Sequence, residues 1–312
     1  MINLLYCFDS NYDEMAFSSI ISVLDKINEK INLYIIHNTN DLIKILPDYI
    51  SKHKNLNNII IKKFQSSQKY FPNVENSHVS EATYYRLFLQ DYIDDSVDFL
   101  IYFDADVICL KNPMPYLKSK IQSMKENKIE IGVMNQPDIP EVDTRSINLG
   151  IKSGKYFNAG VMIINFPLWK EKNIKESAIK IISEKQDELS LWDQDVLNII
   201  FDGKFEDIDY KYNYRMDILN FSKSEVKVLD NDIYLLHYFG KSKPWSLKGI
   251  NYGISEYYQR EYRKFSNKKY HIIHNWKKGS LIYISQIVFS GKIFKLKHPF
   301  KFLIESLQSF FK

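Results

Sequence analysis

Short apolar runs bounded by polar residues recur along the chain. They fall at Ile2–Phe8, Leu33–His37, Asn58–Lys62, Phe99–Phe103, Glu130–Asn135, Val161–Ile164 and Ile233–Leu236, and each predicts a buried strand. Between them, apolar residues recur at helical spacing. The pattern predicts helices over Ala16–Ile27, Asp41–His53, Ser80–Asp91 with Ser80 as cap, Pro113 to about Lys128, Pro167–Lys185 and Val196–Phe201. The opening β-α-β-α-β order is that of a parallel α/β sheet. One segment breaks the pattern. Gln136–Lys155 holds two prolines and two glycines and has no clear period, so a long loop is expected there, of the kind that shapes a binding site.

With 312 residues, 45% of them hydrophobic, the chain is long enough for one large α/β domain with additions, or for two domains. Cys7 and Cys109 both lie in apolar strand contexts. They are expected to be buried thiols, which favours a reducing compartment. Ile2–Phe8 runs directly into Asp9, Asp13 and Glu14, so no signal peptide is expected, and no apolar run is long enough to span a bilayer. Charge changes the picture at the C-terminus. Residues 260–312 carry twelve Lys/Arg against Glu261 and Glu305, a net +10, and the chain total of +4 leaves residues 1–259 at −6. A catalytic domain over 1–260 and a basic extension over 261–312 are therefore expected. The tail interleaves lysines with Trp276, Tyr283, Phe289, Phe294, Phe300, Phe302, Phe310 and Phe311. It suits either an anionic membrane surface or a small helical unit packed on the core. No nucleic-acid recognition motif accompanies it.

Candidate chemistry gathers at strand ends, where parallel α/β sheets bind ligands. Phe99–Phe103 ends in Asp104 and Asp106, separated by the small Ala105. Two such carboxylates either form a solvated acidic strand end or share Mg²⁺ or Mn²⁺ bridged to a diphosphate. His237, at the end of Ile233–Leu236, is a structural histidine or a third ligand. Asp9, Asn11 and Tyr12 sit in the first strand-to-helix loop, where they form a polar cap or hold a nucleotide base. Arg86 is a surface cation, or pairs with a carboxylate or phosphate. Asn158, Ala159 and Gly160 let backbone approach a ligand closely. Asp193, Gln194 and Asp195 cap a helix or grip a sugar. Lys241 and Lys243, in the loop of Gly240, could hold phosphate oxygens.

Six blocks occur together in an order that resembles family 8 glycosyltransferases, the group of bacterial lipooligosaccharide galactosyltransferases and glycogenin. They are Asp9-Ser-Asn-Tyr12, Thr83-Tyr-Tyr-Arg86, Tyr102-Phe-Asp-Ala-Asp106, Phe157-Asn-Ala-Gly160, Asp193-Gln-Asp195 and His237-Tyr-Phe-Gly-Lys-Ser-Lys-Pro-Trp245. The resemblance covers about residues 2–245, with Ser10 where many members have Asp and Phe8 where a smaller residue is common. It implies a GT-A fold, a Rossmann-like mixed and mostly parallel sheet, and retaining transfer of galactose or glucose from a UDP-sugar. By resemblance Asp104, Asp106 and His237 hold Mn²⁺, with Mg²⁺ an alternative. Asp9, Asn11 and Tyr12 contact uridine, and Lys243 binds phosphate. Arg86, Asn158, Asp193 and Gln194 line the donor sugar, with Ala105, Ala159 and Gly240 in the same donor-binding blocks.

A metal there would stabilise charge on departing UDP as a Lewis acid, with Lys243 and Lys241 adding to it. Gln194 is the candidate beneath the anomeric carbon, and Asp193 the one gripping sugar hydroxyls. A glutamine amide is a weak nucleophile, which favours front-face attack over double displacement. The expected acceptor is a saccharide on lipid, polysaccharide or protein. The expected location is cytoplasmic, peripheral on the inner membrane face. Two rivals stand beside this reading. A haloacid-dehalogenase-type phosphohydrolase fits Asp104-Ala-Asp-Val107, but it places that motif on the first strand. A non-catalytic nucleotide- or glycan-binding module has little need of a metal triad.

Overall fold

The computed structural model describes residues 1–65, 81–136, 140–222, 225–240, 242–274 and 277–310. β1 (Ile2–Phe8) leads through the Asp9–Tyr12 turn into α1 (Asp13–Lys26), and β2 (Ile31–His37) follows. Where one helix was expected over Asp41–His53, there are two single turns, α2 (Leu42–Ile45) and α3 (Asp48–Ser51). Pro47 separates them, since it lacks an amide donor and biases the residue before it toward extended backbone. After β3 (Leu56–Lys63), the expected α-helix ending at Asp91 is a 3-10 helix over Glu81–Asp91, with non-helical backbone at Phe88. Its expected cap, Ser80, lies outside the described residues.

β4 (Phe99–Phe103) and β5 (Val107–Cys109) flank the two acids, and α4 (Met114–Asn127) and β6 (Ile131–Asn135) follow. The long loop expected over Gln136–Lys155 contains a helix, α5 (Pro140–Asn148). Pro140 suits a first helical position, and Gly150 follows at φ +74, so helix punctuation was present without an apolar period. β7 (Phe157–Asn165) begins earlier than expected and contains Asn158, Ala159 and Gly160, which therefore lie inside a strand. The helix expected over Pro167–Lys185 is α6 (Phe166–Glu171) and α7 (Ile174–Lys185), divided at Asn173 with φ +52. α8 (Trp192–Phe201) starts at the Asp193-Gln-Asp195 block, ahead of the expected Val196. β8 (Glu206–Asp207), β9 (Tyr214–Met216), α9 (Glu225–Asp232), β10 (Leu235–Tyr238) and α10 (Ser255–Tyr262) complete the main body. His237 thus lies within the last strand rather than beyond it.

The large sheet has strand order β3-β2-β1-β4-β7-β6-β8, and a small sheet has order β5-β10-β9. Pairs β1–β2, β2–β3, β1–β4 and β6–β8 are parallel, while β7 runs antiparallel to β4 and β6. Period-2 alternation divides the core. Leu5, Leu100 and Tyr102 join the cluster on one face with Trp169 and Phe201, while Leu4, Tyr6, Ile101 and Phe103 join α1 on the other. The chain passes from the large sheet to the small one at Asp104–Asp106. Antiparallel pairing then sets His237 opposite Val107, one residue from Asp106. Crossing between sheets is what brings residues far apart in sequence to one point.

The C-terminal residues form α11 (Lys277–Phe289) and α12 (Pro299–Ser309). Ile284, Ile287, Ile293 and Phe302 pack on Leu247, Ile250, Tyr270 and Ile272. The buried Glu305 carboxylate accepts from the amides of Lys269 and Tyr270, at 2.8 Å for Tyr270. Phe289, Phe294 and Phe300 nonetheless stay outside, at 90%, 70% and 72% exposure. Trp276 and Phe311 fall outside the described residues. Among the described residues no helix is long and apolar enough to cross a membrane. Cys7 and Cys109 are buried and unpaired.

Candidate functional site

Asp104, Asp106 and His237 each point one ligand atom at a common place, all within 4.8 Å of one another. Each carboxylate uses its other oxygen for support. Asp104 Oδ1 accepts from Arg86 Nη1 at 3.0 Å and from the Tyr102 hydroxyl at 2.5 Å. Asp106 Oδ2 accepts from Lys243 Nζ at 2.7 Å. Asp106 Oδ1 is buried, accepts no hydrogen bond among the described residues, and lies 3.3 Å from His237 Nε2. Asp104 Oδ2 lies 4.0 Å from the same nitrogen. Burial pushes the Asp106 carboxyl upward, but an opposing pull led by the Lys243 ammonium holds the group well below the usual carboxylate range.

The tautomer of His237 follows from two backbone amides. Gly160 N donates to Asn158 Oδ1 (3.0 Å), and Ala159 N donates to Gln194 Oε1 (3.1 Å). An amide N–H can only donate, so both side-chain carboxamide oxygens are fixed. Asn158 Nδ2 then donates to Gln194 Oε1 (3.1 Å), and Asn213 Nδ2 to Asn158 Oδ1 (2.9 Å). Asn213 Oδ1 is left facing His237 Nδ1 at 2.9 Å. Nδ1 therefore carries a proton, which leaves Nε2, 3.3 Å from Asp106 Oδ1, as the nitrogen that can bind a metal ion. Two hard oxygens and one imidazole nitrogen fit a divalent ion such as Mn²⁺, and the outer hydrogen bonds are of the kind that orient metal ligands.

The network continues beyond Gln194. Gln194 Nε2 donates to the Tyr156 hydroxyl (3.1 Å), which donates to Asp195. Asp195 Oδ2 also accepts from Ser190 N and Leu191 N at 2.8 and 2.7 Å, so it ties down the start of α8. Gln194 Oε1 thus has both acceptor positions filled. Arg86, 6% exposed, donates to the Ala159 carbonyl (2.7 Å) and ion-pairs with Asp193. Burial pushes the Asp193 carboxyl up to about 7, against the pull of Arg86 and with the push of Asp104.

The open cleft beside this cluster is lined by Phe8, Tyr12, Thr83, Arg86, Tyr102 and Asp104–Asp106, among others. Tyr12 stands edge-on to Trp245. Asp9 is buried, and its carboxylate accepts from the Asn11 amide at 2.9 Å. The exposed Asn11 lines a different cavity, with Asp13, Glu14 and His271. Lys243 meets Asp106 and the Tyr238 carbonyl. Gly240 takes φ +85, backbone that favours glycine. Lys241 is outside the described residues. Gly160 is required for a different reason: a Cβ there would lie 2.2 Å from His237 Cε1 and 3.0 Å from Asp104 Oδ2. The sequence reading assigned no role to Asn213, Tyr156 or Tyr102. Tyr102, two residues before Asp104 on the same strand face, was discoverable by period; Asn213 carries no local signal.

A mostly parallel sheet with acids at the end of a central strand is the architecture of GT-A glycosyltransferases. A galactosyltransferase, LgtC, solved in complex with donor and acceptor sugar analogs, matches with a TM-score of 0.67 at 18% identity, over 89% of this chain and 100% of that one. The glycosyltransferase GlyE of Streptococcus pneumoniae TIGR4 matches at 0.59, over 92% and 64%. The family model "Glycosyl transferase family 8" matches residues 3–249, and the chain belongs to that family. A lipopolysaccharide 1,3-galactosyltransferase of Salmonella typhimurium LT2 is 33% identical over 201 residues, 61% of this chain and 56% of the relative's length. A lipopolysaccharide 1,2-glucosyltransferase of Escherichia coli is 27% identical over 83% of this chain and 77% of its own. General stress protein A of Bacillus subtilis 168 is 28% identical over 79% and 88%.

Proposed function

We propose that the protein is a retaining, metal-dependent hexosyltransferase that moves galactose or glucose from a UDP-sugar to a saccharide acceptor. The observation that carries this reading is the convergence of His237 Nε2, Asp106 Oδ1 and Asp104 Oδ2 within 4.8 Å of one another, with His237 Nδ1 held by Asn213. Asp104, Asp106 and His237 would hold Mn²⁺. When bound, the ion supplies Lewis acidity to a diphosphate leaving group. Lys243, already at the cluster, would turn its ammonium to phosphate oxygens. Tyr12, which lines the cleft, would stack on uracil, and Asp9 would pair with it. Arg86 holds Asp193 in place to accept from sugar hydroxyls.

In the reaction the bond between the anomeric carbon and the diphosphate oxygen breaks, and its electron pair leaves with UDP. The acceptor hydroxyl oxygen bonds to the same face of that carbon and gives its proton to the departing phosphate oxygen, so configuration is retained. Gln194 supports this route by position rather than attack: its oxygen is already committed to two donors. The Salmonella and Escherichia relatives, a lipopolysaccharide galactosyltransferase and a lipopolysaccharide glucosyltransferase, support a cell-surface glycan as acceptor. The test is UDP release from a panel of UDP-sugars with Mn²⁺. One sugar should be hydrolysed slowly, with activity lost on chelation and in Asp106→Asn. Release of inorganic phosphate from simple phosphate esters, with no UDP-sugar turned over, would instead mark a phosphohydrolase.

The tail supports peripheral attachment at the cytoplasmic membrane face. Phe289, Phe294 and Phe300 are exposed beside the exposed lysines Lys292, Lys295 and Lys301, the composition of an interfacial segment. Co-sedimentation should show binding to vesicles with anionic lipid, and weaker binding once the three phenylalanines are serine. Equal binding by the triple variant would remove the tail from that role.

A further inference from the structure

Beyond Gln194, two arginines border Tyr156, the residue that accepts from the Gln194 side chain. Arg145 lies on α5, and its guanidinium carbon is 6.0 Å from the Tyr156 ring centre. Arg215 lies on β9, where parallel pairing sets it beside His237, with its guanidinium carbon 4.1 Å over the Phe239 ring. Strand alternation puts Arg215 on the same face as Asn213, the residue that orients the metal ligand. Arg215 Nη1 donates to the buried Gln136 side-chain oxygen. Both groups border Tyr156: Gln136, the partner of Arg215, donates its backbone amide to the Tyr156 carbonyl at 2.9 Å, and Arg145 lies over the Tyr156 ring.

Neutralisation of this pair is incomplete among the described residues. Among the described residues the carboxylate that meets it is Asp195, 3.6 Å from Arg145 Nη1, too far for a hydrogen bond. That carboxylate also serves Tyr156 and the amides of Ser190 and Leu191. Arg145 Nη1 and Arg215 Nε are both buried and have no acceptor among the described residues. Unpaired guanidinium N–H groups at a half-buried site are costly, and a planar anion satisfies them two at a time. Phe239, 39% exposed, adds an aromatic edge at the surface beside Arg215.

We propose that Arg145 and Arg215 form an anion-recognition subsite for the acceptor, so that the acceptor is a saccharide bearing a carboxylate or a phosphate rather than a neutral sugar. The subsite adjoins Tyr156, the hydrogen-bond partner of Gln194, next to where a transferred hexose would be handed over. This inference rests on the transferase reading and names the acceptor class for it.

The test uses the full chain with UDP and Mn²⁺ present. Ligand-observed NMR compares D-glucuronate with D-glucose, and glucose 6-phosphate with glucose. An anionic sugar should bind about tenfold more tightly than its neutral partner, as expected for charge-assisted bidentate contacts. Which of the two anions gains more tells carboxylate from phosphate. Arg145→Gln and Arg215→Gln should each shrink the preference to about twofold, and Arg→Lys, which keeps charge but loses the fork, should fall between. Equal binding of charged and neutral sugars by the unmodified protein overturns the proposal. Gln variants with native melting temperature and undiminished preference overturn it as well. UDP binding, measured in the same samples, reports separately on the transferase reading.

Discussion

Asn213→Ala tests the orienting network at its least exposed point. Asn213 is 0% exposed, and its carboxamide makes two hydrogen bonds of 2.9 Å, accepting from His237 Nδ1 and donating to Asn158 Oδ1. Alanine leaves a buried N–H and a buried carbonyl oxygen each short of one partner. Each such loss costs about 1–3 kcal/mol. Asn158 Oδ1 keeps the Gly160 amide, so its share falls at the lower end. A total of about 2–4 kcal/mol is expected, which in a chain of this size lowers the melting temperature by several degrees. The more telling effect is on the metal. With its acceptor gone, His237 is free to rotate and to exchange tautomers, and Nε2 no longer points reliably toward Asp106. Mn²⁺ affinity should fall by about 10–100-fold, the range seen when an outer hydrogen bond to a metal ligand is removed. The assay is titration of Mn²⁺ followed by electron paramagnetic resonance, below the melting temperature of the variant. Asn213→Asp is the control, because it keeps an acceptor for Nδ1 and should retain most of the affinity. A folded Asn213→Ala protein that binds Mn²⁺ within twofold of the parent would refute the argument that Asn213 sets the tautomer.

Gly160→Ala should be worse for the metal than for the fold. Its Cβ would overlap His237 Cε1, and displacement of the ring costs about 1–3 kcal/mol while misplacing Nε2, read as lost Mn²⁺ binding with a modest drop in melting temperature. For Asp193 the sign follows from its raised value: the carboxyl gains a proton as pH falls through about 7, and a protonated acid is a poorer acceptor for sugar hydroxyls. Donor kcat/KM should therefore fall on the acid side of that value. Asp193→Asn should have lower activity and a flat profile there, and an unchanged acid limb in that variant would assign the titration to another group.

The parts of the fold that were legible were those with a strong local period. The strands from Ile2 to Phe8 and from Phe99 to Phe103 are apolar throughout because both faces of a central sheet are covered. The helix α5 was hidden because its punctuation, Pro140 and Gly150, marks a loop as readily as a helix end. The strand β5 is three residues long and pairs with a strand more than a hundred residues away, so no window of sequence contains its reason for existing. The site divides in the same way. Asp104 and Asp106 stand out because charge at the end of an apolar run is conspicuous. Asn213 and Tyr156 act through geometry that exists only once the two sheets meet. Arg145 and Arg215, seventy residues apart in sequence, are single charges among many until α5 and β9 place them together.

The most direct test of the account is UDP affinity by calorimetry, with Mn²⁺ and again with chelator, for the unmodified protein and for His237→Ala. The account predicts that Mn²⁺ tightens UDP binding by about tenfold or more in the unmodified protein, and that most of this gain disappears in the variant. Equal UDP affinity with and without Mn²⁺, or an undiminished gain in His237→Ala, would contradict the assignment of Asp104, Asp106 and His237 as the metal site that carries the donor.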